Sequence, residues 1–229
     1  TATVSLRPIS FAVSRGKTAG SMKLSQAEVW GVIPCSGSST RMGTSKAMLD
    51  VEGRTFLERV IHAHRAGGCS RVLVALPTQD GPVAAMAEEA GAEVVLNPSP
   101  EDGPIGSLRA SLRVLDDAVE GVCFCPVDHP LIHEDTVQNL IDVFQRSQAP
   151  LVVPTFNGER GHPVLFGRVL FDELLNDALP EGARTVVHRH RDDITSVPVD
   201  DKGTVTDIDD METYRRHCPD EYRLHQQGL

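Results

Sequence analysis

The sequence contains few of the features that mark nucleic-acid-binding or membrane proteins. Aromatic residues make up 4% of its 229 residues, and 22 Lys and Arg face 32 Asp and Glu, which gives a net charge of −10. An acidic chain without a basic, aromatic-rich stripe is not expected to bind nucleic acid. No apolar run approaches the roughly 20 residues that a transmembrane helix requires, so no membrane association is expected.

Cysteine is also sparse, and its spacing is uninformative. Five Cys residues are scattered along the chain and form no CxxC pair, which argues against a zinc site or a thioredoxin-like redox motif. Cys123 and Cys125 alternate on a predicted buried strand, where small thiols serve as core residues. We therefore expect reduced cysteines and a cytoplasmic protein.

The first 27 residues differ in composition from the rest of the chain. They contain four basic residues and no acidic residue, a bias that resembles a transit peptide. We interpret residues 1–27 instead as an N-terminal extension, disordered or artefactual, with Met22 as the natural first residue. An apolar content of 40% is sufficient for a core, and residues 28–229 are predicted to form a single domain.

Strand and helix patterns alternate along the first two thirds of the chain. Strands are predicted over 29–33, 71–76, 93–96 and 121–125, and helices over 55–66, between Asp80 and Gly91, over 104–115 and over 134–145. The connections between them are short, which indicates successive βαβ units and parallel strands.

Beyond residue 150 the predicted elements become shorter. Strands are predicted over 151–155, 163–166 and 194–199, and helices near 168–178, near 183–190 and from about Asp210. Asn157-Gly158 is a hairpin turn signal between the first two of these strands. The whole pattern predicts an α/β fold, a Rossmann-like three-layer α/β/α arrangement with a mixed, mainly parallel sheet.

A small, hydroxyl-rich loop, PCSGSSTRMGTSK (residues 34–46), follows the first predicted strand. It matches neither the Rossmann GxGxxG pattern nor the Walker GxxxxGK[ST] pattern. Its small residues would let backbone N–H groups approach an anion, and Arg41 and Lys46 supply positive charge. On composition alone, the loop is as consistent with a structural strand-to-helix turn as with a phosphate site.

A second motif, CFCPVDHPLI (residues 123–132), places Asp128 just after the carboxyl end of a predicted strand. Ligands of open α/β sheets collect at this edge. One or two carboxylates together with phosphate oxygens form a typical Mg²⁺ site. Taken alone, however, Asp128 is more simply explained as a turn or helix-cap residue.

Taken together, the two motifs resemble a known family. The pattern Gly37-x-Ser39-x-Arg41-Met42-Gly43-x-x-Lys46 is similar to the AAGxSxRMGxxK signature of nucleotidyltransferases with a GT-A-like fold. VDHP is similar to their Asp-x-Pro metal site. NPSPEDGPIGSLRASL, GERGHPVLF and TDIDDMETYRR resemble segments of the molybdenum cofactor cytidylyltransferase branch, so the resemblance extends from about residue 29 to residue 217.

The resemblance implies transfer of a nucleoside monophosphate from an NTP to an acceptor phosphate, with release of pyrophosphate. The implied nucleotide is CTP, with GTP as the alternative, and the implied cofactor is Mg²⁺. The implied acceptor is a molybdopterin-type compound, and a molybdenum enzyme or its maturation factor is a further implied partner.

The resemblance also implies roles for individual residues. Arg41, Lys46 and Asp128 would be catalytic. Asp128 and Asp209 would bind the metal, although Asp207 and Asp210 lie so close in sequence that the choice among the three remains open, with Asp207 as the first alternative. Nucleotide contacts are implied for Ser36, Gly37, Ser39, Arg41, Gly43, Lys46, Asn97, Gly103 and Ser107.

Departures from the family pattern leave other functions open. Pro34-Cys35-Ser36 replaces Leu-Ala-Ala, and IDDME lacks the usual proline. The alternatives are a sugar-phosphate or other small-phosphate nucleotidyltransferase and a non-catalytic nucleotide-binding protein of the same fold. An oxidoreductase on this scaffold would bind nicotinamide or flavin, for which we find no fingerprint. Arg160 and His162 are candidates for acceptor contact; the alternatives are a solvated hairpin for Arg160 and a surface or core-edge histidine for His162.

Overall fold

The computed structural model describes residues 27–36 and 45–227. The strands are β1 (Glu28–Pro34), β2 (Asp50–Val51), β3 (Arg54–Thr55), β4 (Val72–Leu76), β5 (Glu93–Leu96), β6 (Val119–Phe124), β7 (Leu151–Phe156), β8 (Glu159–Arg160), β9 (Val164–Gly167) and β10 (Ile194–Pro198). The α-helices are α1 (Phe56–Ala66), α2 (Pro82–Glu89), α3 (Pro104–Leu112), α4 (Glu134–Ser147), α5 (Phe171–Leu174), α6 (Ala183–Arg189), α7 (Met211–His217) and α8 (Pro219–Gln226). Except for Ala27, the predicted extension lies outside the described residues.

One sheet organises the fold. Its strand order is β10-β7-β9-β6-β1-β4-β5, with β8 paired to β7. The strands β6, β1, β4 and β5 are parallel to one another, as are β7 and β10. Between these two groups, β9 is antiparallel to both β6 and β7. The sheet is therefore mixed and mainly parallel, as predicted.

Side chains of the central strands alternate between two layers of helices. On β1, Val29 and Ile33 belong to the core cluster that includes α1 and α4, whereas Val32 packs with α3, α5 and α6. On β6, Cys123 belongs to the first cluster and Phe124 to the second. Because both faces of the sheet are covered in this way, the predicted three-layer α/β/α arrangement is confirmed.

The elements that sequence periodicity missed are the shortest ones. The strands β2, β3 and β8 have two residues each, too few to display a period. The predicted final helix is divided into α7 and α8, because Cys218 has non-helical backbone angles and Pro219 starts a new helix. The helix predicted over 104–115 ends at Leu112.

Several smaller predictions can be compared directly with the structure. Asn157 and Gly158 have φ angles of 51° and 84° between β7 and β8, which confirms the hairpin turn. Each of the five cysteines is a free thiol. Within the described ranges, no helix is long and apolar enough to cross a membrane.

A glycine in β1 lets a histidine lie directly against the sheet. Gly31 is in register with Cys123 of β6, and a Cβ atom added to Gly31 would lie 2.7 Å from His64 Cδ2. His64 is fully buried, and its Nδ1 lies 2.8 Å from the Val60 carbonyl oxygen, so its ring has little room to move. We expect Gly31→Ala to lower the free energy of unfolding by about 2 kcal/mol through overpacking. Urea denaturation measures this loss, and an unchanged midpoint would contradict it.

Candidate active site

Three charged side chains from distant parts of the sequence meet at the carboxyl edge of the sheet. Lys46 follows the loop after β1, Asp128 follows β6, and Asp209 precedes α7. Lys46 Nζ lies 2.5 Å from Asp209 Oδ1 and 3.9 Å from Asp128 Oδ2. The structure thus brings together the predicted catalytic lysine and the two predicted metal ligands.

The structure separates the roles of the three neighbouring aspartates near the C-terminus. Asp210 is the N-cap of α7 and accepts a hydrogen bond from the Thr213 N–H at 2.7 Å. Asp209 points to Lys46, and the hydrogen bond from that ammonium lowers the pKa of the Asp209 carboxyl. Asp207 lies beside Asp209 and adds to this lowering of its pKa. Asp209 is therefore the carboxylate placed closest to the predicted site.

Asp128 lies in a more buried environment than Asp209. The Asp128 side chain is 26% exposed, compared with 50% for Asp209. Burial raises the pKa of Asp128, although nearby His129 and Lys46 act in the opposite direction. The backbone of this loop is also fixed, because the Ile208 N–H donates to the Asp128 carbonyl at 2.8 Å. An added cation would relieve the cost of burying this carboxylate.

A further carboxylate, which sequence analysis did not identify, connects the Asp128 loop to the Asp209 segment. Asp201 is 4% exposed and accepts hydrogen bonds from the His133 N–H at 2.9 Å, Thr136 Oγ1 at 2.7 Å and the Gly203 N–H at 2.9 Å. His133 is the N-cap of α4 and has no side-chain cap bond of its own. Asp201 therefore caps α4 from a distant part of the chain. No local motif marks such a contact.

Predicted nucleotide-contacting residues form a hydrogen-bonded network beside the charged cluster. Asn97 Nδ2 donates to Ser36 Oγ at 3.2 Å and to Ser107 Oγ at 3.1 Å, and Asn97 Oδ1 accepts from the Ser99 N–H at 3.0 Å. Ser36, Ser107 and Gly103 line a cavity of about 170 Å³. The network thus fixes one wall of this cavity, with Asn97 behind the wall.

The same cavity is bounded by two members of the charged cluster and by both ends of the hydroxyl-rich loop. Lys46 and Asp128 line it, as do Ser36 and Ser45 on either side of the undescribed stretch. Gly37, Ser39, Arg41 and Gly43 lie outside the described residues, so their predicted roles stay predictions. The loop nevertheless begins and ends at the cavity, as a phosphate-binding loop must.

The charged cluster is not a preformed metal cage. Among the residues that the structure describes, no group of three or more His, Cys, Asp or Glu side chains is arranged to hold a metal ion. Asp128 at the cavity wall and Asp209 beside Lys46 instead match a Mg²⁺ site that is completed by phosphate oxygens and water. The donor set therefore fits a divalent cation that binds together with a nucleotide.

Comparison with known proteins agrees with this geometry. Residues 31–194 match the model of the MobA-like NTP transferase domain family. The chain is 29% identical over 114 residues to a protein of Methanothermobacter thermautotrophicus described as a probable molybdenum cofactor guanylyltransferase. That alignment covers 49% of this chain and 56% of the relative, so the chain spans about half the length of the curated protein.

Solved structures show the same fold. Rv0371c from Mycobacterium tuberculosis H37Rv is 26% identical with a TM-score of 0.71, and the match covers 85% of this chain and 99% of that one. A nucleotidyl transferase from Methanothermobacter has a TM-score of 0.68 at 18% identity, covering 86% and 99% of the two chains. With a family match over most of its length and a shared architecture, the chain belongs to the MobA-like NTP transferase domain family.

Proposed function

We propose that this nucleotidyltransferase moves a nucleoside monophosphate from CTP to a phosphate-bearing acceptor of the molybdopterin type, and that it requires Mg²⁺. The observation that carries the proposal is the cluster of Lys46, Asp128 and Asp209 at the cavity where the hydroxyl-rich loop begins and ends. The product would pass to a molybdenum enzyme or its maturation factor.

The proposed chemistry depends on positioning and charge neutralisation. An acceptor phosphate oxygen is already ionised, so it can form the new bond to the α-phosphorus without a general base. The bond between the α-phosphorus and the oxygen that bridges the α- and β-phosphates breaks. Pyrophosphate leaves with the electron pair of this bond. Lys46 and Arg41 would bind oxygens of the triphosphate and hold it in line with the acceptor.

Asp128 and Asp209 would hold the Mg²⁺ ion, with Asp207 close to the second carboxylate. Their carboxylate oxygens are the hard ligands that Mg²⁺ prefers. A bound ion would neutralise negative charge on the transferred phosphoryl group and on the departing pyrophosphate. Lys46 pairs with both carboxylates in this structure. Once a bound Mg²⁺ ion neutralises the charge of the two carboxylates, the Lys46 ammonium would turn to the phosphates.

We infer CTP as the nucleotide from the resemblance of NPSPEDGPIGSLRASL to a segment of the molybdenum cofactor cytidylyltransferase branch. GTP is the second candidate, because the curated relative is described as a guanylyltransferase. The sequence contains no fingerprint for a nicotinamide or flavin site.

A thermal-shift panel tests the proposal. CTP, GTP, ATP, UTP and NADPH are each added with and without Mg²⁺. At a hundred times its Kd, CTP with Mg²⁺ should stabilise the fold by about 2.7 kcal/mol, which corresponds to roughly 5–10 °C in Tm. The response should be much smaller without Mg²⁺. A stronger GTP response would reassign the base, and a response to NADPH alone would overturn the proposal.

A further inference from the structure

The two carboxylates of the proposed Mg²⁺ site both lie outside regular secondary structure. Asp128 is in a turn after β6, and Asp209 is in the irregular stretch before α7. Lys46 Nζ lies within 3.9 Å of a carboxylate oxygen of each, so the two side chains are close together. Since neither a helix nor a strand fixes their separation, it depends on contacts between the two loops that carry them.

The chain segment that leads to Asp209 packs along the loop that contains Asp128. The segment is residues 201–208 and the loop is residues 128–133. The N–H of Ile208, a fully buried residue, donates to the Asp128 carbonyl at 2.8 Å. Ile208 directly precedes Asp209, so this hydrogen bond ties the backbone of one proposed metal ligand to that of the other.

The other end of the segment touches the same loop more closely than any side chain would allow. The Asp201 carboxylate accepts hydrogen bonds from the N–H groups of His133 and Gly203, each at 2.9 Å. A Cβ atom added to Gly203 would lie 2.2 Å from the Leu131 carbonyl oxygen and 2.4 Å from the carbon of that carbonyl. A larger residue at position 203 would therefore push the segment away from the loop.

A buried histidine connects Gly203 to the Asp128 carboxylate. His129 is 8% exposed, and its Nδ1 lies 3.4 Å from the Gly203 carbonyl oxygen, to which a protonated Nδ1 donates. On the other side of the ring, His129 Nε2 lies 3.9 Å from Asp128 Oδ1. The imidazole thus lies between the segment and the proposed metal ligand, and a shift of Gly203 would be passed on to Asp128.

The segment is also confined from its opposite side. The fully buried Thr204 accepts a hydrogen bond at its carbonyl from the His162 N–H at 2.8 Å. A Cβ atom added to Gly161 would lie 2.2 Å from the same carbonyl oxygen. With backbone packed against it on both sides, the segment has little freedom to move away from Asp128.

We infer that residues 201–208 fix the separation of Asp128 and Asp209, with Gly203 and His129 as positioning residues, and that this fixed separation makes the pair selective for Mg²⁺ over Ca²⁺. The inference rests on the proposed function. Mg²⁺ demands near-ideal octahedral geometry, whereas the larger Ca²⁺ accepts longer and irregular contacts. A displaced carboxylate should therefore weaken binding of Mg²⁺ much more than binding of Ca²⁺.

Competition against Mn²⁺ measures this selectivity without turnover. Mn²⁺ is bound to the protein saturated with a non-hydrolysable CTP analogue, and Mg²⁺ or Ca²⁺ then displaces it, followed by electron paramagnetic resonance. The nucleotide supplies the same phosphate ligands in every variant, so differences between variants report on the protein ligands. Titrations of the nucleotide without protein give its own contribution.

Gly203→Ala should weaken Mg²⁺ binding about tenfold or more and Ca²⁺ binding about threefold or less. Gly67→Ala is the matched control, because a Cβ atom there would lie 2.7 Å from the Glu134 carbonyl oxygen, far from the site in the fold. It should lower stability and leave the ratio of the two affinities unchanged. A wild-type ratio in Gly203→Ala, or an equal change in Gly67→Ala, would overturn the inference.

A second pair of variants decides the question if Gly203→Ala does not fold. His129→Leu removes the contact with the Gly203 carbonyl and should lower the ratio of Mg²⁺ to Ca²⁺ affinity about threefold or more. His129→Asn keeps an N–H donor near the position of Nδ1 and should restore most of the ratio. Equal ratios in His129→Leu and wild type would contradict the positioning role.

Failure of this inference differs from failure of the proposed function. None of the described residues that line the smaller cavity belongs to the 201–208 segment, so all variants should still bind the nucleotide analogue. If the wild-type protein binds neither nucleotide nor Mn²⁺, the proposed function and the inference both fail. If it binds both and the ratio is the same in every variant, the inference alone fails.

Discussion

Asp128→Asn is expected to reduce Mg²⁺-dependent pyrophosphate release by about a thousandfold or more. The substitution removes the more buried of the two carboxylates beside Lys46, and with it a charge that the proposed Mg²⁺ site requires. Pyrophosphate release from CTP or GTP with an acceptor measures the loss. Titration of Mn²⁺ into the nucleotide complex shows whether it arises from metal binding.

The stability of the same variant provides a second readout. Burial raises the pKa of Asp128, so the folded protein carries the ionised form at a cost that a neutral asparagine avoids. Asp128→Asn should therefore unfold at or above the wild-type temperature while it loses activity. Asp142→Asn, at an exposed aspartate on α4, is the control and should keep both properties. Full turnover by Asp128→Asn would refute the assigned role.

Asp201→Ala is expected to have the largest effect on stability. It leaves the His133 N–H, Thr136 Oγ1 and the Gly203 N–H without their shared acceptor in a buried position. Unpaired buried donors cost about 1–3 kcal/mol each before relaxation, so a total loss of about 3 kcal/mol or more is expected. That loss corresponds to a decrease of roughly 6–12 °C in Tm, measurable by calorimetry.

Two further variants separate the parts of this effect. Thr136→Ala removes one donor and leaves the two backbone bonds to Asp201 intact, so it should cost only about 1 kcal/mol. Asp201→Asn keeps one acceptor oxygen and should recover part of the loss. An Asp201→Ala protein as stable as Thr136→Ala would show that water or a shifted backbone replaces the carboxylate.

Much of the fold could be predicted because apolar residues recur at regular spacing along its longer helices and strands. Val137, Leu140, Ile141 and Phe144 repeat along one face of α4, and all four are buried against the sheet. The β2–β3 hairpin was missed, since two residues per strand contain no period. The position of β9 between β6 and β7 could not be predicted, because hydrophobic patterns locate strands along the chain but do not give their order across the sheet.

The candidate site could be predicted only in part. Lys46 and Asp128 belong to compact motifs, whereas the choice of Asp209 over Asp210 depends on where α7 begins. Asp201 contacts α4 across a separation of 65 residues, so no local pattern could have identified it.

The order of the cavity walls along the chain has an evolutionary consequence. The described residues that line the 170 Å³ cavity are 34–36, 45–47 and 126–128, with Gly103, Pro104 and Ser107, while a larger cavity of about 690 Å³ beside it is lined mostly by residues between 153 and 188. Substitution or recombination within 153–188 can therefore change the walls of the larger cavity and leave most of the described residues of the smaller one intact. A chain divided in this way can vary one cavity during evolution while it retains the residues of the other.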